Sequence, residues 1–141
     1  MNSPAVFAAV FAALYAAHTV GDHWVQAHRD ASAKGNPGWE GRIACARHVL
    51  SLALTKVAAL ALLVFATRLT LHLPPLLVGL VVDAASHYWA DRRTTLQGLA
   101  DRLGKGDFYR LGAGHLGSGA YALDQSWHVG WLFITALIIT L

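Results

Sequence analysis

Residues 4–26 read "PAVFAAVFAALYAAHTVGDHWVQ". The run is apolar or aromatic up to Ala17, and then His18, Asp22 and Gln26 follow at four-residue steps. On a helix that spacing puts all three side chains along one stripe. At ~1.5 Å per residue the stretch measures ~35 Å, enough to cross a hydrocarbon layer ~30 Å thick. The segment therefore reads as a membrane helix that ends by presenting an imidazole, a carboxylate and an amide on one face.

The rest of the chain extends this reading. Of its 141 residues, 55% are hydrophobic and 13% charged, against roughly 25% charged in soluble domains. The mean hydropathy is +0.43. Apolar residues cluster in four stretches, approximately 4–26, 43–67, 71–91 and 120–141. Each is close to the ~20 residues a spanning helix needs, and none alternates as a strand does. Four wholly buried helices in a soluble protein would need more covering mass than this chain has. The expectation is an all-α integral membrane four-helix bundle, a single four-span transmembrane domain over residues 1–141. The opening "MNSP" lacks the basic start of a secretory signal, so the first segment is expected to be a retained span. The one cysteine, Cys45, excludes an intrachain disulfide.

Charge gives an orientation. The loop at 27–42 carries Arg29, Lys34 and Arg42, with Arg47 just beyond, and the loop after the third stretch carries Arg92, Arg93, Arg102, Lys105 and Arg110. The connection between the second and third stretches offers only Arg68. The positive-inside rule then places both basic loops in the cytoplasm and both termini outside. Trp24, Trp89 and Trp127 fall near the same ends, where indole favours the headgroup zone. The net charge of +3 is accounted for by these loops, and no nucleic-acid partner is expected. "KGNPGWEG" predicts an irregular first loop. Leu96, Leu99 and Leu103 predict a short interfacial helix over about 95–104. The glycine-rich "GAGHLGSG" (112–119) lacks the GK[ST] ending of a phosphate loop and reads as a flexible connector.

The stripe of the first segment recurs. "VVDAASHYWAD" brings Asp83 and His87 four apart, with Asp91 four further on, and "ALDQSWHVGW" brings Asp124 and His128. "ARHVLSLALTK" adds His48. Ionisable groups inside a span are costly unless paired, hydrated or bound to an ion. Counted from the cytoplasmic ends, Asp22, His48, His87 and Asp124 lie within about two turns, and His18, Asp83 and His128 about one turn deeper. Four imidazoles and three carboxylates levelled in this way form a candidate ligand set. Nitrogen and carboxylate donors together suit zinc, or iron and manganese, better than calcium or magnesium. Seven ligands exceed the needs of one tetrahedral ion. Either the extra carboxylates orient the histidines or two ions share the site.

Other polar residues have plainer readings. Asp83 and His87, taken alone, read equally well as an interhelical hydrogen bond. His23 and His28 point off the stripe and are expected at the interface, His72 on the outer side, and His115 in the glycine-rich loop. Asp91 with Arg92 and Arg93 reads as a solvated helix end, or as an arginine pair able to hold a phosphate group beside a metal. Gln26 and Gln125 are placed to orient ligands or substrate. Lys56 is expected to snorkel or to face a neighbouring helix.

The motifs "AAHTVGDHWVQAH", "ARHVLSLALT", "VVDAASHYWAD" and "ALDQSWHVGWL" resemble those of a small bacterial inner-membrane family known only as a domain of unknown function. That family reads H-x2-GD-x3-Q, a histidine opening the second span, D-x3-H and DQ-x2-H. The resemblance maps onto His18, Gly21, Asp22, Gln26, His48, Asp83, His87, Asp124, Gln125 and His128. Trp127 and the long loop before the last span depart from the pattern. The family is distantly similar to membrane hydrolases associated with the LexA response, which implies metal chemistry and names no substrate.

The leading expectation is a metal-dependent hydrolase, zinc most fitting, that acts on a lipid or lipid-like substrate at the cytoplasmic leaflet. Asp22 or Asp124 would accept the proton of a metal-bound water. Partners would then be membrane lipid and, if the protein assembles, further copies of itself. A membrane metal sensor or accessory subunit with a structural metal is the alternative, separated from the enzyme by whether the ion keeps an open position. A metal or proton transporter fits less well, because "AVFAAVFAAL", "LALLVFA", "LLVGLVV" and "LFITALIITL" offer almost no ion ligand along the outer half.

Overall fold

The computed structural model describes residues 3–113 and 117–141, so His115 and the centre of the glycine-rich connector lie outside the described residues. Helices account for all the regular structure there: α1 (Pro4–Val20), α2 (His28–Ala33), α3 (Gly38–Thr67), α4 (Leu73–Asp91), α5 (Thr94–Arg102), α6 (Gly106–Arg110) and α7 (Gly119–Ile139). Local sequence explains the boundaries. Ser3 and Ser118 cap α1 and α7 by accepting from the amides of Val6 and Tyr121, and Pro4 follows the first cap where its missing N–H costs nothing. Prolines also occupy the first turn of α4.

Two elements depart from expectation. α1 does not run on as a regular helix: residues Gly21–Val25 form a π turn, and Gln26 leaves the helix with its amide bonded to the Gly21 carbonyl at 2.9 Å. The first loop, expected to be irregular, contains α2, and α3 starts at Gly38 rather than near 43. The turn chemistry is real but confined to residues 34–37. Arg92 holds that turn by donating to the carbonyls of Lys34 and Asn36, both at 2.6 Å.

Three helices are long and apolar enough to span a membrane: Pro4–Val25, Gly38–Thr67 and Gly119–Ile139. α4 is less apolar, because prolines open it and Asp83, His87 and Asp91 lie along its 19 residues. It packs against α3 and α7, and α1 packs against the same two helices. Away from the basic loops the enclosed interior is mostly apolar, built from Val10, Leu14, Leu60, Leu132, Ala136 and Ile139, with Thr135 buried on the same helix as the last three. The outside is apolar too: Leu50, Leu62, Phe65 and Val81 are 62–72% exposed. Polar groups inside and large apolar groups outside reverse the arrangement of a water-soluble protein. α5 forms where a short helix was expected, and it presents Leu96 and Ala100 inward.

Close helix contact depends on small residues, as is common between helices in lipid. A Cβ on Gly79 of α4 would lie 2.6 Å from Ile139 Cγ1 and 3.3 Å from the Thr135 carbonyl of α7. Gly98 on α5 meets nothing within 4 Å. Gly79→Ile is therefore expected to cost about 1–3 kcal/mol through overpacking and to lower the unfolding midpoint in detergent. Gly98→Ala should hold or raise it, by at most ~1 kcal/mol. Equal midpoints for the two variants would contradict the close approach.

Candidate metal centre

At the end of the protein that carries the basic loops, α1 and its π turn bring in His18 and Asp22, α3 His48, α4 His87 and Asp91, and α7 Asp124 and His128. The four imidazoles are 1–2% exposed. They pack ring against ring, His87 on His128 with centroids 3.9 Å apart and His18 5.0 Å from His128.

The donor atoms crowd together. His48 Nε2 lies 3.0 Å from His87 Nε2 and 3.1 Å from both Asp22 Oδ1 and Asp91 Oδ2. His87 Nε2 is 3.1 Å from Asp91 Oδ2 and 3.7 Å from Asp22 Oδ1. Two triads, Asp22–His48–His87 and His87–Asp91–His128, keep one donor atom from each residue within 4.8 Å of the others. Ligands at the ~2.0–2.1 Å bonds of a tetrahedral zinc stand ~3.3–3.4 Å apart. The first triad, with edges of 3.0, 3.1 and 3.7 Å, matches one face of such a site.

Apart from the His48–His87 contact at 3.0 Å, which one ring proton can bridge, hydrogen bonding does not account for the crowding. Both nitrogens of His18, Asp22 Oδ1, Asp91 Oδ2 and His128 Nε2 are buried and find no hydrogen-bond partner among the described residues. A buried polar atom left unpaired costs roughly 1–3 kcal/mol, and more when charged. Several buried donor atoms left without a hydrogen-bond partner and converging on one another fit a shared cation.

The surroundings orient the donors. With its amide turned to match its neighbours, Gln26 accepts from His48 Nδ1 and from Lys34 Nζ, both at 3.0 Å, and donates to the Asp22 carbonyl at 3.3 Å. A proton on His48 Nδ1 leaves the Nε2 lone pair directed at the cluster, the usual way an outer amide or carbonyl fixes a metal-binding tautomer. The π turn makes this contact by swinging Gln26 out of the helix. Gln125 Nε2 bridges Asp22 and Asp124 at 3.4 and 3.3 Å. Lys34 reaches Asp91 Oδ1 at 3.0 Å. Asp30, beside this loop, accepts from Arg47 at 2.6 Å, and that guanidinium holds its carboxyl below the ordinary carboxylate range.

Several residues lie elsewhere than the sequence implies. Asp83, expected among the ligands, is held by Lys56 at 2.6 and 2.8 Å and stands outside the donor cluster. The pair is buried, so Lys56 does not snorkel; it reaches Asp83 because neither charge can stay alone at that depth. Asp91, read as a solvated helix end, is 2% exposed and central. Arg92 beside it turns away to the first loop, as does Arg93, which donates to the Ala31 carbonyl at 3.0 Å. His23 is tied to the Thr19 carbonyl and Tyr121 hydroxyl at 2.8 and 3.1 Å. Trp89 and Trp127 stack on each other at 4.7 Å, whereas Trp24 is exposed. Asp91 carried a sequence signal, one further turn beyond His87. Lys34, in an aperiodic loop, carried none.

The cluster opens to a cavity of about 550 Å³ lined by Asp22, Asp91, Asp124, Lys34, Arg93 and Tyr109, among others. Such an arrangement defines a class: an all-helical protein with three apolar helices long enough to span a membrane and buried His/Asp groups positioned to hold a metal ion. The chain belongs to the family described as "Protein of unknown function (DUF3307)", which matches residues 10–141. Comparison with curated proteins and with solved structures gives no match.

Asp91 and Asp83 should separate cleanly in experiment. Asp91→Asn should weaken binding of Zn2+, used as the probe, by more than the ~10–100-fold typical of losing an outer partner. Asp83→Leu alone strands Lys56 and should cost about 3–5 kcal/mol of stability. Combined with Lys56→Met it should recover stability and bind Zn2+ normally. Loss of Zn2+ from the folded double variant would contradict this division.

Proposed function

We propose that the protein is a multi-pass membrane metallohydrolase. Its four long helices cross the bilayer as one bundle with both termini outside, and zinc at the cytoplasmic end serves hydrolysis of a lipid or lipid-like substrate in the inner leaflet. The observation that carries this reading is the set of buried, unpartnered imidazole and carboxylate atoms, whose carboxylates Asp22 and Asp91 line an open cavity. Zinc is favoured by donors that are all imidazole nitrogen or carboxylate oxygen, with the one cysteine bonded instead to the Tyr88 carbonyl. The basic loops at the same end support the orientation.

An ion bound there would supply a water acidified toward neutral pH. The side chain of Asp124 is 26% exposed, against 2% for Asp91 and 8% for Asp22. It faces the cavity and is the better general base, while Asp22 is a ligand. Gln125 holds the two carboxylates in register. Lys34 and Arg93 line the same cavity and suit an anionic ester, amide or phosphate group. A second, apolar groove of about 490 Å³ runs beside it, lined by Leu99, Leu103, Trp127, Trp131 and Ile134, and Leu96 forms part of both walls. A polar cavity beside an apolar groove suits an amphiphile, with its headgroup at the metal and its chain along α5 and α7.

The test uses purified protein in nanodiscs containing an anionic glycerophospholipid, with release of fatty acid, headgroup and phosphate followed by mass spectrometry. Chelation should abolish release and Zn2+ should restore it. Asp124→Asn should lower turnover by about 10²–10⁴-fold, the usual worth of general-base catalysis, with zinc still bound. Unchanged turnover in folded Asp124→Asn, or turnover indifferent to chelator, would overturn the assignment.

A further inference from the structure

The two triads that can each hold an ion share His87. A neutral imidazole offers one ring lone pair to a metal, so His87 Nε2 can serve only one ion. That nitrogen sits 3.0 Å from His48 Nε2, 3.1 Å from Asp91 Oδ2 and 3.7 Å from Asp22 Oδ1, which groups it with His48 and those two carboxylate oxygens. The second triad is then one donor short.

His18 has no assignment in a one-ion site. It is 1% exposed, both its nitrogens lack partners among the described residues, and its Nε2 lies 3.6 Å from Asp22 Oδ2. His128 Nε2, also unpartnered, lies 3.8 Å from Asp91 Oδ1 and 3.4 Å from Asp124 Oδ1. The carboxylates divide in the same way. Asp22 turns Oδ1 toward His48 and His87 and Oδ2 toward His18. Asp91 turns Oδ2 toward His48 and His87 and Oδ1 toward His128, where Lys34 also donates at 3.0 Å.

From this division we infer that the centre holds two divalent cations bridged by Asp22 and Asp91. His48 and His87 complete the first site, and His18 and His128 complete the second. Each bridging carboxylate gives one oxygen to each ion, the arrangement by which paired metal sites keep ions ~3.5–4 Å apart. Asp124 borders the second site on the cavity side. The inference rests on the proposed metal centre and adds the number of ions and the division of ligands between them.

Metal content and magnetism of the full-length protein in detergent test it. Wild type dialysed against Zn2+ should retain about two equivalents per chain by elemental analysis, as a two-metal site requires. Loaded with Mn2+ it should show the exchange-coupled electron paramagnetic resonance signal of a bridged pair. His18→Gln and His128→Gln should each retain about one equivalent and show only uncoupled Mn2+, through loss of second-site ligands. The coupled wild-type signal supports the inference even if a variant fails to fold. One equivalent in wild type, with uncoupled Mn2+, overturns the pair and leaves a one-ion centre standing. No retained metal overturns both.

Discussion

Buried imidazoles and carboxylates that face one another with more polar atoms than their hydrogen bonds satisfy are the constraint on which this structure depends. In an apolar bundle each such atom is a cost unless something positive satisfies it. Lys56 does this for Asp83, and Lys34 reaches Asp91, yet His18, His128, one oxygen of Asp22 and the second oxygen of Asp91 remain unmatched among the described residues. A divalent cation is the economical solution, because it accepts several lone pairs at once and needs no proton from any of them.

The rest of the fold serves that requirement. Val10, Leu14, Leu132 and Ile139 fill one half of the interior with apolar packing. At the other half the loops are pinned rather than loose. Arg92 and Arg93 hold the first loop by its carbonyls, which sets Lys34 over Asp91, and the π turn sends Gln26 to the back of His48. An opening is kept on one side, toward Asp124, Arg93 and Tyr109.

Much of this was legible in the sequence, and the failures have physical causes. Apolar runs near 20 residues located the long helices, because crossing length and composition are both written in order along the chain. The four-residue spacing of His18 with Asp22, Asp83 with His87 and Asp124 with His128 located the stripes. What depth counting lacks is rotation and long-range partners. Asp83 and Asp91 share a stripe with His87, and only the reach of Lys56, 27 residues away, removes Asp83 from the cluster. Asp91 looked solvated because Arg92 and Arg93 follow it; nothing local says that both arginines turn back to the first loop. The start of α3 was hidden by Asn36 and Pro37, whose turn is shorter than its composition implies.

The most direct measurement of the central claim is X-ray absorption at the zinc edge of the zinc-loaded protein in detergent. Imidazole and carboxylate ligation predicts a shell of nitrogen and oxygen at ~2.0–2.1 Å, together with the outer-shell scattering that imidazole rings produce. A spectrum of oxygen neighbours alone, without ring scattering, would contradict a cation held by these histidines.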